Sequence, residues 1–142
     1  MNESKLDVKK RAVIEIAENL FLSQGLATTE MKEIARCASI SRSTLYRMFD
    51  SRETLAFAVA DKCLHELFDP KPMEIYGTDR SGFEILRSYS SNLIETMIQG
   101  VRYVKYLSEF DQMFSGDYPD TPEARKYVQL NRQRHDRQIL LN

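Results

Sequence analysis

Breakers are scarce in this chain. Five glycines and four prolines occur in 142 residues, and long stretches contain neither. That argues against many short strands joined by turns and favours an all-helical chain. Cysteine is scarcer still. Cys37 and Cys63 each stand alone in an apolar helical setting, with no CxxC and no histidine pair at metal spacing. They read as two reduced packing thiols, with a redox sensor as the alternative, and no metal site is expected. No window approaches ~18 consecutive apolar residues, and the first ten residues are polar and charged, so neither a membrane span nor a signal peptide is expected and the protein is placed in the cytoplasm. The Ser/His/Asp set, glycine-rich phosphate loop or paired carboxylates of a catalytic centre are also missing, which argues against an enzyme and gives no reason to expect a cofactor.

Nor is charge of either sign in excess. Twenty basic residues meet 21 acidic ones, for a net charge of −1. Residues 1–55 carry nine Lys/Arg against eight Asp/Glu, and residues 56–142 carry eleven against thirteen. So mild a split neither supports nor excludes nucleic acid, because a small reader domain needs only a local basic face. What the chain does have is apolar content: 42% hydrophobic residues suffice for a buried core in one compact unit, or in a small domain sharing a helix with a second.

Periodicity orders these residues into helices. Val13, Ile16, Ala17, Leu20 and Phe21 form one apolar stripe of a helix from about Asp7 to Gln24, which Gly25 ends in a left-handed conformation. Thr28 and Thr29 are expected to cap a second helix running to about Ala38, with Met31, Ile34 and Ala35 inward. Ser39-Ile40-Ser41 breaks the chain before a short helix, Arg42 to Phe49, anchored by Leu45. Asp50 or Ser51 caps the next helix, which carries Leu55, Val59, Cys63 and Leu67 inward and stops before Pro70 and Pro72. A loop over residues 69–80 marks the domain boundary. Ser81 and Glu84 have capping-box spacing and open a helix to about Gln99, with Phe83, Leu86, Leu93 and Met97 inward. Gly100 is expected to separate it from a further helix, Val101 to Phe114. After a turn over residues 115–120, Thr121-Pro122-Glu123 starts a final helix that runs to the chain's end.

Two short helices joined by a tight break suit the reading of a DNA major groove. The first lies across the backbone, and the second presents its N-terminal residues to base edges. In Ser41-Arg42-Ser43-Thr44-Leu45-Tyr46-Arg47, leucine holds the helix to the core while the remaining side chains are free to point outward. Arginine donates two hydrogen bonds to a guanine edge, threonine offers a methyl or a hydroxyl, and tyrosine donates to phosphate.

The runs Ala17–Gly25, Thr28–Ala35 and Ser41–Leu55 resemble, in order and spacing, the first helix, the second helix and the recognition helix of TetR-family regulators. The resemblance covers about residues 11 to 60. It implies a helix-turn-helix DNA-binding domain over 1–55 and a helical ligand-binding and dimerisation domain over 56–142. It further implies a cytoplasmic homodimeric repressor, released from a palindromic double-stranded operator by a small apolar effector. By position, Thr29, Ser41, Arg42, Ser43, Thr44, Tyr46, Arg47 and Arg52 become the candidates for DNA contact. Arg52 stands where the family usually has lysine, and Arg47 where it often has an aromatic. Ser39 replaces the usual glycine, which implies a left-handed serine or an altered turn.

In the second half, Phe83, Tyr89, Met97, Tyr103, Tyr106, Phe110 and Met113 either line an effector pocket or fill a plain core. Asp61, His65 and Asp69 share one helical face, and His65 is either a pocket residue or part of a solvated charged face. Family members usually continue through two further helices that pair the subunits, so the second domain is expected to be incomplete here. The competing reading is a helical DNA-binding or protein-interaction module without ligand control.

Overall fold

The computed structural model describes residues 4–68, 81–114 and 117–141. These form six helices: α1 (Lys5–Gln24), α2 (Met31–Cys37), α3 (Arg42–Met48), α4 (Arg52–Phe68), α5 (Gly82–Phe114) and α6 (Pro122–Leu141). The described residues are all-α, as their periodicity predicts.

Helix ends follow local chemistry. Ser4 caps α1, its Oγ accepting from the Asp7 amide at 3.2 Å. Gly25 ends that helix with φ 96° and an extended ψ of 150°, a conformation suited to glycine. Ser51, not Asp50, caps α4 by accepting from the Thr54 amide at 3.1 Å. Ser81 does the same for α5 through Glu84 N–H at 3.3 Å, and Thr121 for α6 through Ala124 N–H at 3.2 Å. The start of α2 departs from expectation. Glu30 occupies the cap position without a side-chain bond, whereas Thr28 and Thr29 turn back and donate to the carbonyls of Gln24 and Gly25. These threonines stabilise the loop they stand in.

The break between α2 and α3 resolves into a defined motif. Ile40 N–H donates to the Ala35 carbonyl at 3.0 Å and Ser39 N–H to that of Arg36 at 3.1 Å, the paired bonds of a Schellman cap. Ser39 takes the left-handed position at φ 55°. Serine thus adopts the conformation in which glycine costs nothing and a Cβ costs ~1–2 kcal/mol.

α4 is the centre of the fold and packs on α1, α5 and α6. Leu55, Val59 and Cys63 are buried as expected, but so are Ala56, Phe57, Ala60 and Leu64, because neighbours surround α4 on more than one side. Phe57 meets Phe110 edge-on at 4.8 Å between ring centroids, Phe114 at 4.7 Å and Tyr127 at 5.6 Å. Tyr106 stacks on Phe21 at 5.9 Å, and its hydroxyl donates to the Ala56 carbonyl at 2.7 Å. One core therefore runs without interruption from Val13 in α1 to Tyr127 in α6.

Three expectations are corrected. Gly100 does not divide the fifth helix: α5 continues through it for 33 residues. Glycine costs a helix interior ~1 kcal/mol, and a Cβ at this position would lie 3.6 Å from Leu67 Cδ2, an ordinary contact that alanine would also make. Phe83, Leu86, Leu93 and Met97 do not face inward but are exposed; in this half of α5 the described part of α4 meets the helix at other residues, Asn92, Glu95 and Thr96. Cys37 is not a packing thiol; it is exposed at the end of α2, while Cys63 is buried. The expected stop before Pro70 and Pro72 lies outside the described residues.

Lys62 on α4 pairs with the buried Glu18 on α1 at 2.6 Å. Burial pulls the lysine pKa down, but the hydrogen bond and charge of Glu18 outweigh it and leave the value raised. A raised lysine stabilises the fold fully below its unfolded value of ~10.4, and that contribution is lost as pH climbs through the folded value. Lys62→Met is therefore expected to cost about 1–2 kcal/mol at pH 7, a buried-pair loss discounted because the lysine side chain is 37% exposed. The gap between parent and variant should narrow in urea melts above pH ~11. Burial also pushes the Cys63 thiol up to about 12. With a chromogenic disulfide at pH 8, Cys37 should react in the native protein and Cys63 only after unfolding.

Candidate nucleic-acid interface

The short helix α3 is built to present its first turn. Ser41 caps it, accepting from Thr44 N–H at 3.1 Å and bonding the Thr44 hydroxyl at 2.7 Å. Leu45 is wholly buried and fixes the helix to the core formed by α1, α2 and α4. That single anchor orients the rest. Arg42, Ser43, Tyr46 and Arg47 are exposed, while Thr44 is half-buried. Six of the eight proposed contact residues thus lie on one short stretch whose outer surface carries two guanidinium groups, hydroxyls and a phenol. This donor set suits base edges and phosphates.

Thr29 is not presented with them. It is fully buried, and its hydroxyl donates to the Gly25 carbonyl at 2.8 Å, so in this conformation it braces the α1–α2 loop. Arg52 lies across the same loop, its Nη1 3.4 Å from the carbonyls of Ala27 and Thr29. Its guanidinium reaches toward the start of α2.

Lys32 belongs with this surface, although its spacing alone did not mark it. It is exposed on the first turn of α2 and pairs with Glu30 at 2.9 Å. The hydrogen bond from Lys32 and its charge hold the Glu30 carboxyl below its ordinary range, with Arg42 and Arg52 adding to the effect. One exposed carboxylate thus senses three cations from α2, α3 and α4. A local basic face exists although the whole chain is slightly acidic.

A second polar link ties this region to α5. Glu109 Oε2 accepts from the Leu26 amide at 3.0 Å, across 83 positions of sequence. No local pattern marks that contact, because it exists only once α5 lies beside α1.

Among the described residues the proposed pocket residues differ in setting. Tyr106 and Phe110 are buried core, Tyr103 is half-buried, and His65, Phe83, Tyr89, Met97 and Met113 are exposed. A cleft of about 310 Å³ lies between α4 and α5, lined by polar side chains of Glu66, Asn92, Glu95, Thr96 and Gln99 with Leu67, Gly100 and Tyr103. Of the eight proposed residues, Tyr103 alone lines it. Asp69, on the suggested Asp61–His65 face, lies outside the described residues. Among the described residues no cluster of three His, Cys, Asp or Glu could hold a metal ion, and no helix is long and apolar enough to cross a membrane.

Residues 13–59 match the tetR family of bacterial regulatory proteins. The chain is 50% identical over 46 residues to an HTH-type transcriptional regulator of Mycobacterium tuberculosis, a match spanning 32% of this chain and 23% of that protein. It is 33% identical over 60 residues to the HTH-type transcriptional repressor KstR2 of Rhodococcus jostii, spanning 42% and 29%. With the HTH-type transcriptional regulator TtgR of Pseudomonas putida it shares 37% identity over 57 residues, spanning 40% and 27%. The matched segment covers only about a quarter of each relative's length, and no solved structure matches. Residues 13–59 are thus similar to the helix-turn-helix domain of the tetR family of bacterial regulatory proteins.

Proposed function

We propose that the chain is a sequence-specific DNA-binding transcriptional regulator. In this reading it is a repressor that binds a palindromic operator as a homodimer and is released by a small-molecule effector. The observation that carries the reading is α3 itself. Leu45 is buried, while Arg42, Ser43, Tyr46 and Arg47 stand in solvent, and the charges of Lys32, Arg42 and Arg52 all bear on the exposed Glu30 carboxylate. Residues 1–55 serve as the reading head in this proposal, and residues 56–142 as the effector and pairing region. Names borne by relatives, one of them a repressor, support the same direction.

α5 is the element through which an effector would act. Its middle lines the cleft against α4, and ten residues further on Glu109 holds the α1–α2 loop by its Leu26 amide. An effector that binds better when α5 is displaced shifts the population toward heads set for no operator. The cleft's lining mixes polar side chains with apolar surface of Leu67 and Tyr103, which suits an effector with a few hydrogen-bonding groups on an apolar body. The dispersal of the other proposed pocket residues favours a second reading, a DNA-binding module without ligand control.

Fluorescence anisotropy on the promoter DNA beside its own gene tests this. Nanomolar, sequence-dependent binding is expected, and Arg47→Ala and Tyr46→Ala should each weaken it about 5- to 100-fold, the ~1–3 kcal/mol of a direct contact. Arg52→Ala should weaken all sequences alike and lower the slope of log affinity against log salt by about 1. Affinity indifferent to sequence would overturn the reading. Release by compounds added to the same assay separates the ligand-controlled form from the module without control.

A further inference from the structure

Glu30 is an acid on the surface otherwise suited to meet phosphates. It stands in the cap position of α2 yet makes no side-chain bond to the helix. Serine, threonine, aspartate or asparagine would close the helix better there, so helix capping gives no reason for this side chain. Its carboxylate instead holds Lys32, whose Nζ lies 2.9 Å from Oε2, and both side chains are more than 60% exposed. Arg52 lies close by, its Nη1 3.4 Å from the carbonyl of Thr29, the residue before Glu30. Arg42 opens α3 in solvent, and the charges of both arginines reach the same carboxylate. Glu33, the acid within α2, is placed differently. It accepts from Gln24 Nε2 of α1 at 2.9 Å.

We infer that Glu30 is a built-in competitor for phosphate: its carboxylate occupies the Lys32 ammonium in the free protein and must be displaced when the head docks on DNA. Glu30 thereby lowers affinity for every sequence alike. This role rests on the DNA-binding reading above and adds the residue that limits its strength. A carboxylate oxygen and a phosphate oxygen make the same kind of charge-assisted bond to an ammonium, so one leaves as the other arrives. An exposed pair of this kind is weak, and the carboxylate therefore reduces binding without blocking it. Once displaced, it remains within a Debye length of the incoming phosphates and repels them. Phosphate contacts carry no sequence information, so the penalty falls equally on the promoter site and on unrelated DNA. A weaker phosphate contribution leaves binding more dependent on the base contacts proposed for α3.

Anisotropy of the 142-residue chain on the promoter duplex and on an unrelated duplex of equal length tests this role. At about 0.1 M salt, Glu30→Gln is expected to tighten binding to both duplexes by the same factor. That factor is about 3- to 10-fold for each head engaged, the counterion release of one further phosphate contact. The slope of log affinity against log salt should steepen by about 1 per head. Glu33→Gln removes the same charge three residues away and should change affinity by about 2-fold at most. In a Lys32→Gln background the gain from Glu30→Gln should shrink to about 2-fold or less, because the two residues act as a pair. Glu30→Ser supplies a capping hydroxyl and should reproduce the gain even if the glutamine variant folds poorly, which melting followed by circular dichroism reveals. Unchanged or weaker binding by the folded variants overturns the inference. So does an equal gain from Glu33→Gln, a gain undiminished in the Lys32→Gln background, or a gain confined to the promoter duplex. A chain that binds both duplexes equally overturns the regulator reading, while Glu30→Gln still decides the competitor role. A chain that reads its promoter but is indifferent to Glu30→Gln overturns the competitor role alone, and one that binds neither duplex overturns both.

Discussion

Phe57 stands where α4, α5 and α6 meet, ringed by Phe110, Phe114, Tyr118 and Tyr127 within 6 Å of its centroid. One turn of α5 away, Tyr106 stacks on Phe21 of α1 and gives its hydroxyl to the Ala56 carbonyl. These aromatic contacts lock α4 between the head and the rest of the chain. Burial raises the Tyr106 pKa well above its ordinary value, which favours the protonated phenol that donates this bond. A buried phenol needs such a partner, since an unmade bond there costs ~1–3 kcal/mol. The position of the reading surface depends on this arrangement, because α1 packs on α4, α2 on α1 and α3 on α2.

The second link, Glu109 to the Leu26 amide, has a different character. It is a charge-assisted bond to a loop, directional and made by one residue, where the aromatic packing is broad and nondirectional. Together they join α5 to the head at two heights, one beside α4 and one beside α1. A displacement of α5 cannot leave both unchanged. The fold thus has the mechanical connection that any coupling between the cleft and α3 would use.

Much of this was legible in residue order. Ser51, Ser81 and Thr121 cap helices because a hydroxyl before a helical run accepts from the free amides of its first turn. Val13, Ala17 and Phe21, like Met31, Ile34 and Ala35, face the core because helical spacing puts them on one side. Leu45 among polar neighbours marked α3 as an anchored helix with an outer surface. Other features were misread for identifiable reasons. Thr28 and Thr29 have the chemistry of caps, but the loop's geometry turns their hydroxyls back to carbonyls. Gly100 has the chemistry of a breaker, yet i to i+4 bonding continues through it. Lys32 and Glu109 carried no local signal, since their partners come from chain folding rather than from spacing.

By itself, the sequence determined the helical class, the caps at Ser51, Ser81 and Thr121, the break at Ser39-Ile40-Ser41 and the ordered signature of the head, all of which depend on residues within a turn or two of one another. Tertiary structure decided which apolar faces are covered. Phe110 and Met97 lie on the same helix and look alike in pattern, but one is wholly buried and the other 63% exposed. The difference is which helices lie alongside, and no periodicity within α5 contains that information.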